Sequence, residues 1–86
     1  MELSRKNVRD ELRRIDYQKK KIDCGEMPQI VAEISIECWF AYAIKFDSYK
    51  QMLRVANHYM DTFNVPWDKM KILFKRRHSG WIEKKS

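Results

Sequence analysis

Only two glycines and two prolines punctuate the 86 residues, and their positions limit the fold to a handful of elements. Gly25 and Pro28 make one break, Asn64-Val65-Pro66 a second, and His78-Ser79-Gly80 a third. No linker, internal repeat or low-complexity tract lies between them. A chain this short is expected to be one domain, 1–86, burying about 60–65% of the surface its unfolded form exposes. The aromatic share of 13% matters here, because large rings supply much of the core that a short chain can build. Self-association would enlarge so small a core, and a homodimer is expected.

The first piece reads as a basic helix from Asn7 to Ile22. Asn7 is the expected cap, Asp10 and Glu11 sit in the first turn, and Lys19, Lys20 and Lys21 in the last, an order that suits the helix dipole. Val8, Leu12, Ile15 and Ile22 form one narrow apolar stripe, with Arg5, Arg9, Arg13 and Arg14 on the other faces. The segment Gln29 to Phe46 behaves differently. Every even position from Ile30 to Phe46 is apolar, while Glu33, Ser35, Glu37 and Lys45 fall on odd ones. Period two with β-branched and aromatic residues predicts strand, folded into a hairpin near Glu37–Trp39, although no turn residue marks the bend.

A clear amphipathic helix follows, capped by Asp47 or Ser48 and ending near Phe63. Its apolar stripe is Tyr49, Met52, Leu53, Ala56, Tyr59, Met60 and Phe63. In the last piece Met70, Ile72 and Phe74 alternate with lysines before the Gly80 turn and Trp81-Ile82, which predicts a basic hairpin over about 69–85. A helix from Pro66 to Arg76 competes with it, since proline favours a first helical position. The expected fold is α+β in the order α-β-β-α-β-β, with an antiparallel sheet backed by the Asp47–Phe63 helix. The alternative is an all-α arrangement of four helices.

Charge is distributed unevenly. The chain carries +6 overall, split as +4 over residues 1–22, −4 over 23–68 and +6 over 69–86. Basic ends around an acidic middle predict a positive surface that concentrates polyanions. The densest cluster is Lys69, Lys71, Lys75, Arg76 and Arg77, flanked by Trp67 and Trp81. On a strand, Lys69, Lys71, Lys75 and Arg77 would project from one face about 6.6–7 Å apart, close to the spacing of phosphates along an extended strand. Trp81 is placed to stack on an exposed base. Arg9, Arg13, Lys20 and Lys21 of the first helix would extend the surface.

Other chemistry is poorly supported. Cys24, Cys38, His58 and His78 are the soft metal ligands present, and none has C-x-x-C or H-x-x-x-H spacing, so no metal and no cofactor is expected. His78, among Lys75, Arg76 and Arg77, lacks the partner that a ribonuclease-type acid–base pair needs. Glu33 and Glu37 read as solvated face residues, and His58 as a boundary residue. The start, Met1 to Arg5, has no apolar signal core, and charges interrupt Ile30–Phe46, so no membrane association is expected. Two unpaired thiols then place the chain in the cytoplasm.

The resulting expectation is a non-enzymatic nucleic-acid-binding protein with no catalytic residue, favouring RNA or single strands over DNA duplex. The aromatic R/K-G-F-x-F-type strand, the G-x-x-G loop and a groove-reading helix-turn-helix are all absent. The competing expectation is a protein-interaction or inhibitor module that docks on an acidic protein partner. In brevity, charge and aromatic content the chain resembles small phage-encoded accessory proteins, a likeness of style that extends to no motif.

Overall fold

The computed structural model describes residues 4–46 and 48–73, which form an all-α domain with no strand among them. Helices α1 (Arg5–Asp23), α2 (Gln29–Ile44) and α3 (Tyr49–Phe63) are followed by a fourth helical stretch at 67–73. The α+β expectation is overturned in favour of the four-helix alternative. The hairpin expected over 29–46 is one helix, and the strand expected from Lys69 is helical to residue 73. The rest of that basic hairpin lies outside the described residues.

The period-two pattern misled for a physical reason. α2 is apolar on nearly every side: Ala32, Ile36, Trp39, Phe40 and Ala43 are buried, while Ile30, Val31, Ile34 and Tyr42 face outward. Such a helix shows no 3.6-residue contrast, so the few polar positions, Glu33, Ser35 and Glu37, imprint an alternation that has no structural meaning. The missing turn residue was the better guide. Sixteen residues without a breaker make about 24 Å of helix but exceed a normal strand.

Local signals set the ends. Ser4, not Asn7, caps α1, its Oγ accepting from the Asn7 N–H at 3.1 Å. Asn7 instead donates through Nδ2 to the Tyr42 hydroxyl at 3.0 Å. α1 ends on Gly25 at φ +77, with Glu26 N–H donating to the Lys21 carbonyl and Gly25 N–H to that of Ile22. α3 ends in the same way on Asn64 at φ 54, with Val65 N–H donating to Met60. Both are left-handed C-terminal caps that return the chain sharply. Pro28 and Pro66 then sit immediately before the next helices, their carbonyls accepting from Val31 and from Lys69 and Met70.

The helices run up, down and up. Asn7 meets Tyr42, so α1 and α2 are antiparallel, whereas Asp16 meets His58 and Lys19 lies over Phe63, so α1 and α3 are parallel. The core joins Val8 and Ile15, the buried face of α2, Met52, Val55, Ala56 and Tyr59 of α3, and Met70 and Leu73 of the fourth helix. Ala32, Ala43 and Ala56, all fully buried, let the backbones approach around Phe40. The narrow stripe expected on α1 is completed by two buried polar residues, Glu11 and Gln18.

The two caps give a paired prediction. Nothing lies within 4 Å of a Cβ built on Gly25, so Gly25→Ala should cost only the left-handed strain, about 1 kcal/mol, or roughly 4–8 °C in Tm. Asn64→Gly should leave stability unchanged or raise it by a few tenths of a kcal/mol. Thermal denaturation followed by circular dichroism checks both.

Candidate nucleic-acid interface

α1 presents its cations by simple helix geometry. Arg9, Arg13, Tyr17 and Lys20 follow one another at intervals of four, four and three residues, which places them along one face, and all four are exposed. This face lies away from the stripe of Val8, Ile15 and Ile22 that packs inward.

Ion pairing separates the cations of α1 into two groups. Arg14 lies 3.2 Å from the Glu11 carboxylate, Lys19 3.0 Å from Asp23, and Lys21 2.7 Å from Glu26. The Glu26 carboxylate, and to a smaller extent Tyr17, holds Lys21 above its ordinary pKa. Arg5, Lys6, Arg9, Arg13 and Lys20 make no ion pair with a described residue. Of the four α1 cations expected at the interface, Arg9, Arg13 and Lys20 therefore have no ion-pair partner among the described residues, while Lys21 is engaged with Glu26 and Tyr17.

The Tyr17 ring sits within this face, 56% exposed, with the Lys21 ammonium 5.5 Å from its centroid. Sequence reading passed over it, although a tyrosine off the apolar stripe and four residues beyond Arg13 was the available signal. A second missed feature joins distant parts of the chain. Arg5, Arg9 and Arg54 line an open groove of about 420 Å³ between α1 and α3, with Val8, Leu12 and Gln51 as the other lining residues. No acidic side chain among the described residues lines it. Because α1 and α3 are parallel, their positive N-terminal dipole ends lie at this same end of the bundle. Arg54 is one of three cations, with Lys45 and Lys50, in the acidic middle of the sequence, so nothing local singled it out.

The described part of the C-terminal cluster, Lys69 and Lys71, departs from the expected row. Lys69 and Lys71 lie on the helix 67–73, where two residues are about 200° apart around the axis, so they cannot share one face as they would on a strand. Lys69 borders a cleft of about 170 Å³ with Gln29, Glu33, Ile72 and Tyr59. The Tyr59 hydroxyl is buried there without a hydrogen-bond partner among the described residues, and burial, with Glu33 second, pushes its pKa up to about 12. Lys75, Arg76, Arg77 and Trp81, and with them His78, lie outside the described residues.

Other candidates resolve more simply. His58 Nε2 lies 2.7 Å from Asp16 Oδ1 and ties α3 to α1. Glu37, expected on a solvated face, is buried. Cys24 and Cys38 are free and exposed, and no group of metal-ligating residues occurs among the described ones. No helix among them is long and apolar enough to cross a membrane. No protein-family model, curated protein or solved structure matches the chain.

Behind the basic face lies an electrostatic cost. Glu11 is 1% exposed, neither carboxylate oxygen has a hydrogen-bond partner among the described residues, and burial lifts its pKa from 4.5 to about 7 against the opposing pull of Arg14. The unfolded chain releases this proton near pH 4.5 and the folded chain near 7, so the folded state binds more protons in between and stability falls as pH rises through that window. Glu11→Gln should remove this fall. Urea denaturation should show the variant more stable than the parent by about 1–3 kcal/mol at pH 8, with the difference gone near pH 4.

Proposed function

We propose that this protein is a non-enzymatic nucleic-acid-binding protein that grips the phosphate backbone with the exposed face of α1. The observation that carries the reading is the run Arg9, Arg13 and Lys20, exposed and without ion pairs to described residues, with the Tyr17 ring among them. Such cations release condensed counterions when they meet phosphates. An exposed ring beside them stacks on unpaired bases and favours RNA or another single strand over duplex. The groove of Arg5, Arg9 and Arg54 extends the phosphate path around the N-terminal end of α1. Unpaired thiols at Cys24 and Cys38 suit a cytoplasmic location.

The test is fluorescence anisotropy with labelled single-stranded RNA, single-stranded DNA, double-stranded RNA and duplex DNA at several salt concentrations, using protein freed of nucleic acid. With four or five phosphates engaged, log Kobs against log salt should have a slope of about −3 on single strands. Replacing Arg9, Arg13 and Lys20 together with Ala should flatten it by about 2. Tyr17→Ala should weaken single-strand binding by about 1–3 kcal/mol and leave the slope unchanged. Absence of binding at low salt, together with capture of an acidic protein that survives nuclease treatment, would replace this reading with docking on a protein partner.

A further inference from the structure

The groove between α1 and α3 gathers three arginines in one concavity. Arg5, Arg9 and Arg54 line it and are exposed, beside buried Val8 and half-buried Leu12. None of the three makes an ion pair with a described residue. The acids of the same stretch of α1 lie elsewhere, since Asp10 and Glu11 line a separate pocket against α2 with Trp39 and Tyr42. Three like charges therefore crowd one space and repel one another, a cost that a bound anion relieves.

We propose that this groove is a binding site for a linked polyphosphate group, carried by a free small molecule or by an RNA 5′ end. Its charge is the first argument. An internal phosphodiester bears a single negative charge and would leave two of the three guanidiniums unmatched. A terminal phosphate carries about −1.5 to −2 at pH 7 and three strong acceptor oxygens, and each phosphate linked to it adds further charge. A di- or triphosphate thus meets all three arginines with one compact group.

Size separates the same two ligands. The groove holds about 420 Å³, within the range of small-molecule sites. To set three charges against three arginines, a strand would have to bring three whole nucleotides, sugars and bases included, into that space. A triphosphate brings them in a single chain of three phosphorus atoms.

The donors are arranged to match. Arg5 and Arg9 stand one turn apart on α1, and Arg54 comes from α3 across the groove. An anion between them is approached from both helices, and each guanidinium offers the planar fork that pairs two phosphate oxygens at once. The site does not require nucleic acid to lie along α1, because Arg13, Tyr17 and Lys20 are not among its lining residues. Only Arg9 belongs to both surfaces.

Isothermal titration calorimetry of protein freed of nucleic acid, with sodium tripolyphosphate as the probe in about 0.15 M salt, tests the proposal. Saturable binding of one tripolyphosphate per chain is expected. Arg54→Ala should weaken it about 10-fold or more, and Arg54→Lys should restore part of the loss, since it keeps the charge without the fork. Arg13→Ala removes the same charge from the outer face of α1 and should change the affinity less than about 2-fold. Unchanged far-ultraviolet dichroism checks that each variant folds. Two RNAs of one sequence, ending in a 5′-triphosphate or a 5′-hydroxyl, then distinguish the sources. A preference for the triphosphate end that Arg54→Ala abolishes assigns the groove to RNA ends. Equal binding of the two RNAs, beside Arg54-dependent binding of tripolyphosphate, assigns it to a free small molecule. Tripolyphosphate that does not bind overturns the proposal. So does binding that Arg13→Ala weakens as much as Arg54→Ala, which would be diffuse attraction to a chain of +6. RNA binding that persists in either case would leave the α1 reading standing while the groove proposal falls.

Discussion

Insertion of the α2 inner face, Ile36, Trp39, Phe40 and Ala43, into the core made with α1 and α3 is the contact on which the rest of this structure depends. Phe40 is fully buried, with fully buried Ala32, Ala43 and Ala56 keeping the helices close. α2 runs antiparallel to α1, while α1 and α3 pack directly against each other and run parallel, as the Asp16–His58 and Lys19–Phe63 contacts show. That in turn brings their N-terminal ends together, and with them Arg5, Arg9 and Arg54. The basic groove is thus a consequence of how α3 packs against α1. Arg54 comes from a position too far along the chain to join Arg5 and Arg9 without it.

Electrostatics shapes α1 from both sides. On its outer surface, carboxylates at Asp23 and Glu26 engage Lys19 and Lys21, leaving Arg9, Arg13 and Lys20 as a separate set. On its inner surface Glu11 and Gln18 occupy positions that an ordinary amphipathic helix would give to aliphatic residues. Burying Glu11 beside Arg14 costs stability near neutral pH, since a carboxylate with no hydrogen-bond donor among the described residues has given up water for little in return. A small domain has little margin for such a cost. The helix that carries the candidate interface is therefore also one of the places where the fold is least optimised.

Legibility followed the character of each segment. α1 and α3 were readable because one face of each is apolar and the other charged, so the 3.6-residue contrast survives in the sequence. The boundaries were readable where Gly25, Asn64 and Pro66 stand, since these residues act through their own backbone preferences. α2 was not, because it is apolar toward the core and also toward the outside. The helix 67–73 was misread for a related reason: the alternation of Met70, Ile72 and Phe74 with lysines mimics a strand in too short a window to show another period. The same error placed Lys69 and Lys71 on one face.

The candidate interface divides along the same line. Composition and periodicity in the sequence alone determined that both ends are basic, that α1 is an amphipathic helix, and that Arg9, Arg13 and Lys20 lie off its apolar stripe. These properties depend on near neighbours along the chain, which the sequence displays directly. Only the tertiary structure decided that Gln29–Ile44 is helical, which of its two apolar faces turns inward, and that Arg54 joins Arg5 and Arg9. Each of these is settled by packing between segments distant in sequence, where an apolar side chain has no preferred partner until the neighbouring helices have chosen their own.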